Sequence, residues 1–212
     1  YAMHNLFPRW GAITTLPVCI MHILRSIYTD AHKPPFIMQK TALKYNDESD
    51  RALGLAGMAV AITVWDGEDQ MVAVNLDSDP GAGLELTPDF FFAGNPRLSA
   101  RLAWRQMLKQ LELASAMLVS NAMCRSYVGQ KRALSSQAAS MLRAMVHDEA
   151  VNVCSLEEDE IEALYGRVSD TCTRLFTHQA VQNLAERLAA DMRQRRRMTA
   201  AEILDILEPL TR

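Results

Sequence analysis

After residue 96 the sequence has almost none of the two residues that most often interrupt helices, glycine and proline. Seven of its 9 glycines and seven of its 8 prolines lie at or before Pro96. Residues 97–212 contain only Gly129, Gly166 and Pro209. Because glycine and proline interrupt backbone structure more strongly than other residues, this scarcity favours long helices over residues 97–212. It leaves a mixed α/β segment over residues 1–96.

Cysteine is also scarce, and its spacing fits no zinc site. No two cysteines form a CxxC pair, and none has histidine at zinc-binding spacing. The four are Cys19, Cys124, Cys154 and Cys172. Each lies in an apolar or helical stretch, where a free thiol packs as a small hydrophobic group. We therefore expect no metal, no cofactor and a reducing, cytoplasmic compartment.

The sequence lacks a long apolar run. The longest uncharged stretch near its start, residues 10–24, contains Pro17 and His22. A membrane-spanning helix needs about 20 predominantly apolar residues. The stretch instead predicts a buried helix over about residues 16–28, and we expect no membrane partner.

The motifs of the commonest enzyme classes are missing. The sequence contains no GxSxG, GxxxxGK[ST], GxGxxG or SxxK pattern. Residues 1–96 carry 6 Lys/Arg and 11 Asp/Glu, and residues 97–212 carry 16 and 14. This difference is too small to indicate a nucleic-acid domain in the second segment. These observations favour a protein that is not an enzyme.

Residues 1–96 contain the pattern of an antiparallel sheet. Residues 58–65 are apolar and partly β-branched, which predicts a buried strand. Asp66-Gly67 predicts a hairpin turn after this strand. A second strand is predicted over residues 70–76 and a third over residues 84–86. Three consecutive strands with short loops predict an antiparallel meander.

Residues 97–212 predict a helical bundle. Asn95-Pro96 is typical of a helix start, and that helix is expected to reach residue 128. A second helix is predicted over 136–153, a third from the capping box at 155–158 to residue 193, and a short one from the capping box at 199–202. The predicted fold is α+β: an N-terminal helix and a small antiparallel β-meander, then three to four helices. The sequence is compatible with two organisations, in which segments 1–96 and 97–212 form either separate units or one continuous domain.

Long apolar stripes on the predicted helices favour helix–helix contact. In the first helix of the bundle, residues 100, 104, 107, 111, 114 and 118 alternate steps of four and three, the spacing of a packing seam. We therefore predict a non-enzymatic interaction or scaffold protein that forms a homodimer through its helical half. The predicted contact residues are Trp104, Leu111, Leu118, Leu164, Leu175 and His178.

Arginines near the end of the chain favour an alternative, a nucleic-acid accessory protein. They are Arg193, Arg195, Arg196 and Arg197. Such a cluster can neutralise phosphates, although no aromatic residue is interleaved for base stacking. Arginines also suit a helix C-terminus, and they can pair with the acidic run at residues 157–162. Capping and pairing are favoured over nucleic-acid binding.

Two further features are weaker candidates. An enzyme would place its chemistry where His147, Asp148 or His178 meets the sheet. Neighbouring residues on a helix point about 100° apart, however, so His147, Asp148 and Glu149 do not converge on one substrate atom. The loop at residues 75–81 carries alternating oxygen ligands but fails the EF-hand pattern, and it is better explained as an ordinary turn.

Overall fold

The computed structural model describes residues 44–79, 81–91 and 99–210. These residues form six α-helices and three short strands. In chain order they are α1 (Glu48–Val64), β1 (Met71–Asn75), β2 (Leu84–Leu86), α2 (Ala100–Cys124), α3 (Ser136–Cys154), α4 (Glu158–Thr177), α5 (Gln179–Arg195), β3 (Arg197–Thr199) and α6 (Ala200–Leu207). The predicted α+β class, with a small antiparallel sheet and a helical bundle, is confirmed. The predicted helix over 16–28, Cys19, His22 and the predicted helix start at Asn95-Pro96 lie outside the described residues.

Helix α1 replaces the strand predicted over residues 58–65, and that prediction was wrong. The side chain of Asp47 caps the helix by accepting a hydrogen bond of 2.8 Å from the N–H of Asp50. Between residues 52 and 63 every side chain except that of Leu53 is buried. A helix buried on all sides is apolar on every face, so its sequence shows no helical period and reads like a buried strand. Asp66-Gly67 follows the end of this helix instead of joining two strands.

Two glycines let α1 and α2 pack at very short range. A Cβ atom at Gly57 would lie 2.4 Å from the carbonyl oxygen of Ser120 and 2.7 Å from the Cβ of Cys124. A Cβ atom at Gly54 would lie 2.6 Å from the side-chain amide of Asn121. These distances are shorter than carbon atoms tolerate, so only glycine permits this crossing. The two helices form the centre of the core.

An ion pair joins the start of α1 to the end of α2. The Arg125 guanidinium donates two hydrogen bonds to the Asp50 carboxylate, at 2.7 and 2.6 Å. The two side chains are only 15% and 11% exposed. Arg125 also lies 4.8 Å from the centre of the Tyr45 ring, whose hydroxyl accepts a hydrogen bond from Asn121. A π-helical turn, Arg125–Gly129, ends α2 at this cluster.

The sheet is antiparallel with the order β2-β1-β3. The strands predicted at 70–76 and 84–86 are present as β1 and β2. The third strand comes from Arg197–Thr199, inside the predicted arginine cluster, where Val74 lies opposite Met198. The C-terminal part of the chain therefore supplies one of the two edge strands of the sheet.

The loop after β1 is fixed by an arginine of α1. The Arg51 guanidinium donates to the carbonyl oxygens of Leu76 at 3.0 Å, Ser78 at 2.6 Å and Asp79 at 3.0 Å. The guanidinium binds backbone oxygens of the loop, whereas two of the side chains considered as cation ligands have other partners: Asn75 Oδ1 accepts a hydrogen bond from the N–H of Asp77, and the Asp77 carboxylate pairs with Arg196. The contacts of Arg51 hold the loop against α1.

The helices of residues 99–210 agree with the predicted bundle except at one break. Helix α3 and the capping box of Thr199 and Glu202 lie where they were predicted. The single helix predicted from 155 to 193 was wrong, because it ends at Thr177 and restarts at Gln179. His178, with ψ of 123°, turns the chain between the two helices.

The three described cysteines are buried free thiols, and we expect them to resist alkylation in the native protein. Burial raises the pKa of the Cys154 and Cys172 thiols to about 11 and raises that of Cys124 further. A rise of two units lowers the reactive thiolate fraction about 100-fold. In a Cys19→Ser background, a thiol titration should count three cysteines only after denaturation. Rapid reaction of the native protein would contradict this prediction.

Candidate interaction site

Four of the six predicted interface residues pack inside the chain instead of forming a surface. Leu111, Leu118 and Leu164 are 3–4% exposed and belong to the core. Leu175 is half-buried against the same core. A partner could reach the three buried leucines only if the bundle opened. The seam that sequence analysis identified is thus filled by the chain's own helices.

The other two predicted interface residues are on the surface, on different elements of the fold. His178 is exposed at the turn between α4 and α5, so it does not lie on a packing seam. Trp104 is 41% exposed on the first half of α2. Of the predicted residues, Trp104 alone presents a large apolar side chain to solvent.

The arginine cluster is neutralised by carboxylates of the same chain. Arg195 pairs with Glu202 at 3.0 Å, and Arg197 with Glu85 at 2.7 Å. This second contact lowers the pKa of Glu85 and raises that of Arg197. The arginines thereby connect α5 to α6, and β3 to β2 across the central strand β1.

Arg196 makes the most contacts of the cluster. It pairs at 2.7 Å with Glu48 of α1 and at 2.7 Å with Asp77 of the loop after β1. Arg193 has only a 3.5 Å hydrogen bond to Ser49. The nucleic-acid hypothesis would require a phosphate to displace most of these carboxylates.

The acidic run at 157–162 pairs with α3 instead of with the arginines in this structure. Arg143 contacts both Glu158 and Glu162. His147 lies 2.9 Å from Glu158 through Nε2 and 3.7 Å from Asp148 through Nδ1. These contacts occupy His147 at the surface between carboxylates. Among the described residues no hydrogen bond or ion pair joins His178 to this group.

The first ten residues of α2 form an arm, defined as residues 100–109, in which no side chain is buried. The arm begins at Ser99, whose hydroxyl accepts a hydrogen bond from Leu102 N–H. Leu102 is 50% exposed and Trp104 41% exposed, while Met107 and Leu108 are half-buried. From Leu113 to residue 121 the same helix is fully buried. Helix α2 thus passes from the core into an arm that has little packing of its own.

The arm carries positive charge only. Arg101, Arg105 and Lys109 are spaced by four residues, so they lie along one face. All three are exposed, and no described residue forms an ion pair with them. Like charges at this spacing destabilise a helix. No acidic residue occurs in the sequence between Asp89 and Glu112.

An acidic base adjoins the point where the arm meets the core, since a Cβ atom at Gly67 would lie 2.7 Å from the side chain of Leu113. We define it as Asp66, Glu68, Asp69 and Asp89. The backbone of Asp89 is tied to α2, since its carbonyl oxygen accepts a hydrogen bond of 3.1 Å from Gln110. In the described residues these four carboxylates form no ion pair. Asp69 accepts a hydrogen bond of 2.9 Å from the Gln70 side chain. Charges of opposite sign without ion pairs among the described residues therefore lie along the arm and at its base.

An open groove of about 700 Å³ lies beside the base of the arm. Its lining combines two acidic residues, two arginines, two threonines, one valine and one half-buried tryptophan. The lining residues are Val64, Trp65, Glu112, Arg167, Asp170, Thr171, Thr173 and Arg174. Glu112 continues the face of Arg101 and Arg105, so the arm leads directly to the groove. An open lining of mixed charge suits a polypeptide surface better than an enclosed small molecule.

The arm was missed because sequence analysis looked for charge concentrated along the chain. Arg193–Arg197 is the densest basic stretch, yet its cations are mostly paired. The cations without partners are spread out, at every fourth residue of α2. Helical spacing combined with the absence of acids between Asp89 and Glu112 is the signal that could have found them.

Comparison with protein-family models, with curated proteins and with solved structures found no match to this chain. Within the part of the chain that the structure describes, no helix has the length and apolar character to cross a membrane. Three or more potential metal-ligating His, Cys, Asp or Glu side chains do not come together in that part.

Proposed function

We propose that the protein is a non-enzymatic interaction protein whose α2 arm docks onto a polypeptide partner. One observation carries this proposal: residues 100–109 continue a buried helix towards solvent and expose Leu102, Trp104 and three basic side chains. Met107 and Leu108 are half-buried against the core. The proposal keeps the interaction function expected from sequence and moves its site from the buried leucines to Trp104 and its neighbours.

The arm's composition suits a docking helix. The arm extends the 25-residue helix α2, and contact with a partner would remove its exposed apolar side chains from water. Tryptophan combines a large apolar area with little rotamer entropy and is enriched among the residues that dominate binding energy. Arg101, Arg105 and Lys109 repel one another in one chain, and acidic groups of a partner would relieve that repulsion.

The alternatives have less support. Nucleic-acid binding through Arg195, Arg196 and Arg197 would break four contacts with carboxylates, in a chain whose net charge is −3. For an enzyme, His147 would have to leave its contacts with two surface carboxylates. Neither hypothesis uses the exposed apolar groups of the arm.

Photo-crosslinking from the arm tests the proposal. A benzophenone amino acid replaces Trp104, which keeps an aromatic side chain at the position, and the variant is irradiated in cells that naturally contain the protein. We expect one protein adduct of defined mass. The control places the same group at Met141 of α3, which is more exposed, at 57%, but lies outside the arm.

An adduct from position 104 and none from position 141 would support the proposal. Adducts of the same mass and yield from both positions would show random collision, and no protein adduct from position 104 would overturn it. A crosslink from position 104 to nucleic acid would show that the arm binds nucleic acid instead of a polypeptide.

A further inference from the structure

We infer that the partner of the arm is a second copy of this chain, bound so that the two α2 arms run antiparallel about a two-fold axis. This inference rests on the proposed function, because it names the partner of the same arm. It is carried by the complementary charge at the two ends of the arm and by the apolar residues between them.

The arm is basic at its tip and acidic at its base. Arg101 and Glu112 are 11 residues apart, which is about 16 Å along a helix. The acidic base adjoins the same end of the arm as Glu112, as the hydrogen bond from Gln110 to the backbone of Asp89 shows. An antiparallel partner would therefore bring its basic tip to this acidic base.

Two-fold symmetry makes each contact occur twice. In such an isologous interface, the tip of one arm meets the base of the other and the reverse contact follows. The midpoint between residues 101 and 112 falls between Gln106 and Met107. Leu108 is the apolar residue near that midpoint that shares the helix face of Arg101 and Glu112, so it would lie near the axis. Trp104 would lie one turn away, against the partner's arm.

A second copy fits better than an unrelated acidic molecule. Among the described residues, the chain itself carries basic side chains without ion pairs on the arm and carboxylates without ion pairs at its base, of which Asp69 accepts a hydrogen bond from Gln70. A polyanion such as nucleic acid would be attracted to the tip but repelled by the acidic base. Only a partner with both charges in the reverse order neutralises both ends.

The test exchanges the charges at one end of the arm at a time. A tip variant carries Arg101→Glu and Arg105→Glu. Lys109 is left unchanged because it adjoins Gln110, whose side chain is bonded to Asp89 at the base. Each tip then meets a base of like charge in its own homodimer. We expect the wild-type protein to have the mass of two chains in light scattering. The tip variant should have the mass of one chain, with Kd raised about 100-fold or more.

A base variant carries Glu68→Lys, Asp69→Lys and Asp89→Lys. Asp66 is left unchanged because its φ of 52° is unfavourable for lysine. This variant also places like charges together at both contacts and should have the mass of one chain. In a 1:1 mixture of the tip and base variants, both contacts again join opposite charges, so the mixture should recover the mass of two chains.

The inference would be overturned if the wild-type protein stays a monomer at about 100 µM. It would also be overturned if the tip and base variants remain dimers, or if their 1:1 mixture remains monomeric. If a variant loses its circular dichroism signal, the milder single substitutions Arg101→Gln and Glu68→Gln are measured instead. A Kd of self-association that neither substitution changes would also overturn the inference. A monomeric wild type with a crosslink from position 104 to another protein would reject the second copy and retain the proposed function.

Discussion

Replacing Gly57 with alanine is expected to destabilise the protein by about 3 kcal/mol, the upper part of the range for overpacked cores. The new methyl group would lie 2.4 Å from the carbonyl oxygen of Ser120 and 2.7 Å from the Cβ of Cys124. Both atoms belong to the backbone or first side-chain carbon of a buried helix. They cannot move away by a rotamer change, so α1 and α2 must separate. Urea denaturation followed by circular dichroism measures the loss.

Gly166→Ala is the matched control for this substitution. Gly166 lies within α4, and a Cβ atom there would have no neighbour within 4 Å. Alanine should therefore stabilise the protein by about 0.5–1 kcal/mol through helix propensity and the reduced entropy of the unfolded chain. Equal effects of the two substitutions would show that the close crossing of α1 and α2 is absent in solution.

The burial of helix α1 on all sides explains why residues 58–65 were predicted as a strand. β-Branched and apolar residues are expected in buried strands, and periodicity is the usual means of distinguishing a helix. Helix α1 has no exposed face over residues 54–63, so this signal is absent. The glycines that make the crossing possible, Gly54 and Gly57, looked like helix interruptions in the sequence. Burial on all sides therefore explains the error.

The break at His178 also has no signal in the local sequence. Neither glycine nor proline occurs there, and the apolar stripe continues through it. In the structure the side chain of Gln182 donates a 2.8 Å hydrogen bond to the carbonyl oxygen of Phe176. This bond satisfies a carbonyl near the end of α4 that a continuous helix would have used. A hydrogen bond between a side chain and a backbone carbonyl six residues apart therefore caps α4 at the break.

Features encoded by neighbouring residues were predictable. Helix α3, the capping box at Thr199 and the strands β1 and β2 depend on local spacing and turn residues, and the structure confirms them. The pairing of charges depends on which elements meet in space. The partners of Arg195, Arg196 and Arg197 lie on four different elements or loops, so sequence proximity did not identify them. For this reason the candidate site moved from the arginine cluster to the arm.

The ion pair between Asp50 and Arg125 should contribute acid-sensitive stability. Burial alone would raise the pKa of the Asp50 carboxyl, but hydrogen bonds from Arg125 and from the N–H of Asn46 outweigh burial and leave that pKa below its usual value. A carboxyl whose pKa is lowered in the folded state stabilises the fold above its unfolded pKa. That contribution should be present above about pH 4 and lost as the pH falls further.

We therefore expect Asp50→Asn to lower the free energy of unfolding by about 2–3 kcal/mol at pH 7, since it leaves a largely buried guanidinium without its counter-ion. The matched control is Glu186→Gln, which neutralises the acid of an ion pair with Lys131 whose side chains are 47% and 60% exposed. This control should cost less than about 1 kcal/mol. Urea titrations between pH 3 and pH 7 should show the Asp50→Asn deficit shrinking towards low pH, because the wild-type carboxyl then becomes neutral as well. A deficit that stays constant over this range would show that the asparagine disturbs packing, and that the charge of Asp50 does not hold α1 and α2 together.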